Sequence, residues 1–273
     1  MSLVSTKGRV KVLKTRVIVG LSLLAVVVVF VQLGEWVFFG GVTLVTLLAL
    51  WEFNQMMQVK GHSPSLFFAF AFALAALLNM QFPAQGILTP AFSLLFVLSL
   101  AWQLFQAKSN APVVDWALPI AGGAYIGLAM SHLVGIRNLP NGAAWVWVTL
   151  FSVWGADTFA YFSGRAFGRH KFWPRHSPKK TWEGIFGGVA GGMVGAGLMA
   201  LLFSLPLMHA LAIGVLASIV GPLGDLSISM MKRYAGVKDS SHLIPGHGGM
   251  LDRIDSVLFV AIVSFYYLVW VVI

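Results

Sequence analysis

Apolar runs close to the roughly 20 residues that cross the hydrocarbon core of a bilayer recur along the whole of this 273-residue chain. Nine can be marked, at about 17–33, 36–56, 66–82, 87–105, 116–134, 144–162, 185–205, 208–231 and 251–272. Pro, Gly, Asn and Gln fill the connectors, as in Phe82-Pro83-Ala84-Gln85-Gly86. The chain is 58% hydrophobic and 10% charged, against roughly 25% charged for a soluble domain. Soluble packing cannot hide that much apolar surface, whereas a bilayer can. The expected fold is therefore an all-α integral membrane protein of about nine transmembrane helices. The spans leave no stretch long enough for a separate soluble domain. Residues 1–150 and 151–273 are read as two halves of one structural unit, the first composed of N-terminal transmembrane helices. With no cysteine, disulfides, thiolate metal sites and a cysteine nucleophile are excluded. The run at 17–33 follows a basic segment, as in a signal peptide. It is too long for an h-region and lacks a small-x-small cleavage site, so it reads as a retained span.

Orientation follows from the basic residues. The N-terminal segment holds Lys7, Arg9, Lys11, Lys14 and Arg16. Even-numbered loops hold Lys60, Lys108, the group Arg165, Arg169, Lys171, Arg175, Lys179 and Lys180, and then Lys232, Arg233 and Lys238. Of the 18 Lys and Arg residues, only Arg137 lies in an odd-numbered loop, and Arg253 opens the last span. This asymmetry places the N-terminus and even loops in the cytosol and the C-terminus outside. It also accounts for the net charge of +9 without nucleic acid as a partner. Two cytosolic loops, at about 163–184 and 232–250, are longer than a connection needs and point to a site.

Nine residues are acidic, and Asp157, Asp225, Asp252 and Asp255 fall inside predicted spans. A carboxylate near a helix centre costs roughly 2.5–3.5 kcal/mol on insertion scales and needs a partner or a purpose. In the topology above all four lie within roughly 10 Å of the cytosolic interface at 1.5 Å per residue. Asp252 and Asp255, three apart, share a helix face. Three readings compete. Each Asp pairs with a basic residue or caps a helix, as Asp252 does if it sits in a first turn. Alternatively the aspartates line an ion path in a cation transporter. In the third reading they hold a hard cation such as Mg²⁺, which joins carboxylates to substrate phosphates. Nearby Lys, Arg, Ser and Thr favour the third, being what a polyphosphate requires.

From Ser229 the chain reads Ser-Met-Met-Lys-Arg-Tyr-Ala-Gly-Val-Lys-Asp-Ser-Ser-His-Leu-Ile-Pro-Gly-His-Gly-Gly-Met-Leu-Asp-Arg-Ile-Asp, ending at Asp255. This closely resembles the signature of the phosphatidate cytidylyltransferases (CDP-diacylglycerol synthases), with no departure at its fixed positions. Upstream, Ser177-Pro178-Lys179-Lys180-Thr181-Trp182-Glu183-Gly184 resembles a second family element. Asp157-Thr158-Phe159-Ala160-Tyr161 with Gly164 and Gly168, and Gly221-Pro222-Leu223-Gly224-Asp225, match shorter ones. The matches cover 155–255; the first 150 residues agree only in hydropathy. The resemblance implies transfer of CMP from CTP to phosphatidic acid in phospholipid biosynthesis, a divalent-metal site and a homodimer. A cytidylyltransferase or kinase acting on another membrane lipid, an isoprenoid ether lipid or a polyprenol, is the alternative within this chemistry.

On that resemblance Asp225 and Asp252 are expected to hold Mg²⁺, with Asp255 as a further ligand or behind it, Asp157 as the least secure member, and a second cation as an option. Lys232, Lys238 and Arg253 join the aspartates in the catalytic set. Ser177, Lys179, Lys180, Thr181, Glu183, Arg233, Asp239 and His247 are expected around the substrates. Gly248 and Gly249 are expected to let backbone amides, and the N-terminus of the last span, approach an anion. His170, His176 and His242 show no metal-ligand spacing, and the Gly187-Gly188 and Gly191-Gly192 pairs read as close helix packing. The site is expected to face the cytosol across what would be a bacterial inner membrane.

Overall fold

A computed structural model describes residues 6–175 and 177–273, with side chains from Val17 onward. The side chains of Lys7, Arg9, Lys11, Lys14 and Arg16, and residue His176, lie outside the described residues. The helices are α1 (Thr6–Gln32), α2 (Glu35–Val59), α3 (Leu66–Gln81), α4 (Leu88–Leu104), α5 (Pro112–Gly122), α6 (Ala129–Asn138), α7 (Gly142–Phe167), α8 (Trp182–Leu202), α9 (Leu207–Ala235) and α10 (Leu251–Tyr267). A wide π turn, Gly123–Leu128, joins α5 to α6, and a second, Leu268–Val272, extends α10. Counting α5–α6 as one, the described residues thus form nine helical segments, each covering one predicted apolar run.

Five segments are long and apolar enough to cross a membrane: Glu35–Val59, Pro112–Asn138, Trp182–Leu202, Leu207–Ala235 and Leu251–Val272. Val17–Gln32, α3 and α4 are apolar but shorter. The class is all-α and membrane-embedded. Helix ends differ from the hydropathy boundaries for a physical reason. α7 continues to Phe167 and α9 to Ala235, past the points where the apolar runs stop, because Arg165, Lys232 and Arg233 favour a helix C-terminus and reach polar surroundings. The loop after α7 also contains a feature absent from the sequence reading. It is a small antiparallel hairpin, β1 (Lys171–Trp173) with β2 (Ser177–Thr181), pairing Lys171 with Thr181 and Trp173 with Ser177.

Glycine positions the second half of the bundle. A Cβ on Gly191 would lie 2.3 Å from the Gly155 carbonyl oxygen of α7, and one on Gly192 would lie 2.6 Å from the Gly214 carbonyl oxygen of α9. These glycines let α8 sit against two backbones at once, where no hydrophobic drive between helices exists and close packing must hold them. The paired glycines therefore pack, as expected. Leu77, Ile126, Ile213, Leu251 and Leu258 are fully buried in one apolar core drawn from both halves. The arrangement brings the C-terminal parts of α2, α7 and α9, the hairpin and the start of α10 to one end of the bundle.

Candidate active site

The α9–α10 connection is built on glycine turns. α9 ends at Gly236 (φ 77°), and Gly246 (φ 78°) and Gly248 (φ 84°) take left-handed backbone that side chains rarely adopt. They fold the chain so that Ile244 N–H donates to Gly248 O at 2.9 Å, and α10 starts at Leu251. Asp252, in its first turn, holds this loop. Its Oδ1 meets the buried Lys232 ammonium at 2.5 Å, and its Oδ2 accepts from Ser240 N at 2.9 Å and Gly249 N at 3.1 Å. The first-turn role anticipated for Asp252 is realised together with an ion pair.

One turn along α10 is Asp255. A Cβ on Gly224 would lie 2.4 Å from the Asp255 carbonyl oxygen, so α9 and α10 are in backbone contact here. That contact brings the Asp225 and Asp255 carboxyl groups within hydrogen-bonding reach of each other. Asp225 also meets Lys180 Nζ of β2 at 2.7 Å, and the same ammonium donates to Pro222 O at 3.2 Å. Asp157 of α7 lies close enough to interact electrostatically with Lys180, Asp225 and Arg253. Three of the four predicted aspartates thus gather, and Asp252 adjoins them through Lys232.

The remaining expected residues divide. Thr181 caps α8, its Oγ1 accepting from Gly184 N at 3.2 Å. Glu183 accepts from His170 Nδ1 at 2.7 Å and so ties α8 to the hairpin. Lys179, Lys238, Asp239 and Arg253 are exposed, Ser177 half-buried. Arg233 turns back to Val237 O at 3.2 Å. His247 leans on α1 beside Gly20, and its buried Nδ1 has no partner. The start of α10 corrects one expectation. Its Met250 and Leu251 amides do not face an open anion site, because both donate to Glu52 at 2.8 Å.

Glu52, on α2, is the residue the sequence reading missed. It is fully buried, and besides the two amides it accepts from Ser240 Oγ at 2.8 Å and Ser241 Oγ at 2.6 Å. The available signal was a single carboxylate inside an apolar run.

A cavity of about 580 Å³ runs between α1, α2, α6, α7 and α10. Its walls are apolar (Val27, Phe30, Val45, Leu150 and Trp154 among them) and it ends on Asp157, His247, Asp252, Arg253 and Asp255. The walls suit hydrocarbon, and the polar end, with three carboxylates beside one arginine, would take an anionic head only together with a cation.

Among the described residues, no three His, Asp or Glu side chains close into a ready coordination shell. The facing carboxyls of Asp225 and Asp255 are the pair that suits a hard cation, since Mg²⁺ binds through one or two carboxylates and completes its shell with water and phosphate oxygens. The donor set fits.

Known proteins resemble the chain along nearly its whole length. A model of the cytidylyltransferase family matches residues 14–271. The phosphatidate cytidylyltransferase of Bacillus subtilis is 33% identical over 254 residues, covering 91% of this chain and 94% of that protein. That of Synechocystis sp. is 35% identical over 87% of this chain and 90% of its own. That of Thermotoga maritima is 33% identical over 93% and 95% respectively.

Proposed function

The chain belongs to the cytidylyltransferase family, and on that premise we propose that it transfers CMP from CTP to phosphatidic acid, giving CDP-diacylglycerol and pyrophosphate. It is a nucleotidyltransferase of phospholipid biosynthesis, and the alternatives of a lipid kinase or cation transporter are not favoured. The observation that supports a lipid substrate is the apolar cavity, whose walls suit acyl chains and whose polar end holds Asp157, Asp252, Asp255 and Arg253.

A phosphate oxygen of the lipid attacks the α-phosphorus of CTP, the bond from that phosphorus to the bridging oxygen breaks, and pyrophosphate departs with the electron pair. Both reactants are anions, so catalysis rests on positioning and neutralisation. The attacking phosphate is already ionised near neutral pH and needs no dedicated base. Lys180, Lys179 and Arg253 neutralise phosphate charge, Lys180 being held in place by Asp225 and Pro222 O. Lys232 fixes Asp252, and with it the loop carrying Lys238, Asp239 and His247. Asp225 and Asp255 would hold Mg²⁺, aided by Asp157, and the ion would supply charge stabilisation for the triphosphate. A cytosolic site is supported by the basic loops, and the family resemblance extends the proposal to a homodimer, which crosslinking in native membranes tests.

Purified protein given labelled CTP, phosphatidic acid and Mg²⁺ should form CDP-diacylglycerol. Chelation should stop it, and Asp225→Asn should remove it. No product from the wild type, or full activity in Asp225→Asn, would overturn the proposal. Parallel assays with a polyprenol and its phosphate distinguish the lipid.

A further inference from the structure

An ionised carboxylate offers about four acceptor sites and no donor, and Glu52 has one donor for each. Its Oε1 accepts from Ser241 Oγ at 2.6 Å and Met250 N at 2.8 Å; its Oε2 accepts from Ser240 Oγ and Leu251 N, both at 2.8 Å. All four donors belong to the loop before α10 or to its first residues, almost 200 positions away in sequence. No Lys, Arg or His among the described residues pairs with it. A fully buried carboxylate costs several kcal/mol unless hydrogen-bonded. Here it is compensated entirely by the loop of the signature and by amides that a helix start leaves without partners.

Ser240 links this arrangement to the reacting groups. Its hydroxyl lies 2.8 Å from Glu52 Oε2 and 3.0 Å from Asp252 Oδ2, yet it has a single proton. Asp252 Oδ2 already receives Ser240 N and Gly249 N, so the hydroxyl proton serves Glu52. Glu52 and Asp252 grip one serine from opposite sides, and the pair sets how α10 presents Asp252 and Asp255. Gly249 shows how tight the grip is: a Cβ there would fall 2.0 Å from Ser240 Oγ and 2.5 Å from Glu52 Oε2.

We propose that Glu52 is a positioning residue for the transfer reaction. It contacts no substrate; it locks the α9–α10 loop so that Asp252 and Asp255 meet Lys232 and Asp225 in reacting register. The first half of the chain thereby contributes a specific residue to the site as well as a scaffold. The inference rests on the reading of this site as a nucleotidyl-transfer centre.

Glu52→Gln tests it on the full-length protein in detergent. A carboxamide keeps one oxygen, and its NH₂ group would face two donors instead of accepting from them. With the register loosened, kcat should fall by about a hundredfold, the scale of a 1 Å misplacement. KM for phosphatidic acid should stay within about threefold, because Glu52 contacts no substrate and the groups it holds in register are the aspartates of the transfer step, away from the apolar walls that take the lipid. Leu77→Ala, a buried truncation on α3, serves as the control for stability alone: it should lower the melting temperature and leave kcat per folded molecule unchanged. Ser241→Ala removes one donor while leaving α2 intact and should lower kcat about tenfold; it decides the question if Glu52→Gln does not fold. Wild-type kcat in Glu52→Gln, a loss confined to KM, or an unaffected Ser241→Ala would overturn the inference. No product from the wild type would instead overturn the transfer reading, and this inference with it.

Discussion

The Lys232 ammonium lies 2.5 Å from Asp252 Oδ1, joining the last turn of α9 to the first turn of α10, with side-chain exposures of only 10% and 6%. Desolvating both charges is costly, and what repays it is their contact together with the Ser240 and Gly249 amides on the other carboxylate oxygen. Removing one partner strands the other. Lys232→Ala and Asp252→Asn should each destabilise the protein by about 3–5 kcal/mol, read as a lowered melting temperature in detergent. Replacing both by apolar residues of similar volume should cost less than either single change. A melting temperature unmoved by the single changes would show that the pair does not hold the loop.

Lys180 and Asp225 give the opposite expectation. Their 2.7 Å contact is between side chains 23% and 30% exposed, so solvent screening leaves it worth about 1 kcal/mol or less to stability. Lys180→Ala should therefore melt close to the wild type while losing about 100- to 1000-fold in activity, the scale for one well-placed charge-stabilising donor. Parallel loss of stability and activity would show that Lys180 is structural.

The contact between α7 and α8 can be tested by contrasting two glycines of one helix. A Cβ on Gly191 would lie 2.3 Å from the Gly155 carbonyl oxygen, which backbone cannot yield, whereas one on Gly197 would meet only leucine methyl groups at 3.5 and 3.8 Å. Gly191→Ala should cost about 1–3 kcal/mol by overpacking. Gly197→Ala should be neutral or stabilising by up to about 1 kcal/mol, since alanine restrains the unfolded chain. Thermal melts of the two variants, side by side, check the expectation; equal shifts would contradict it.

These contrasts show what could be read from the amino-acid order. The helical segments were legible because apolar runs bounded by Pro, Gly and Asn mark themselves, and five of the segments they became are long and apolar enough to cross a membrane. The aspartates stood out in the sequence because carboxylates inside apolar runs are costly, but the order expected, Asp225 with Asp252 and Asp255 behind, did not anticipate that Asp252 pairs with Lys232 while Asp255 adjoins Asp225. The Lys171–Thr181 hairpin was not, because three- and five-residue strands rich in Lys and Pro carry no period-2 apolar signal. Glu52 was not, because its partners are four donors distant in sequence, two of them serine hydroxyls and two of them backbone amides. Such donors carry no charge pattern for a carboxylate to be matched with. The same blindness produced the error at the start of α10: free amides were expected where a protein carboxylate already sits.

The cavity makes a prediction about the lipid. Val45 of α2 contributes to its apolar wall, on a different helix from every residue that meets a phosphate in the proposed reaction. Val45→Trp would fill hydrocarbon space and leave the polar end untouched. If acyl chains lie along these walls, KM for long-chain phosphatidic acid should rise about tenfold, within the range by which one or two methylenes discriminate in an apolar pocket. With dioctanoyl phosphatidic acid, whose chains need less of the cavity, KM should change by less than about threefold, and kcat should hold for both. The measurement is a pair of initial-rate series in mixed micelles at fixed CTP. An equal rise for the two lipids would show that the chains lie elsewhere, and a fall in kcat would show that the tryptophan had disturbed the aspartates instead.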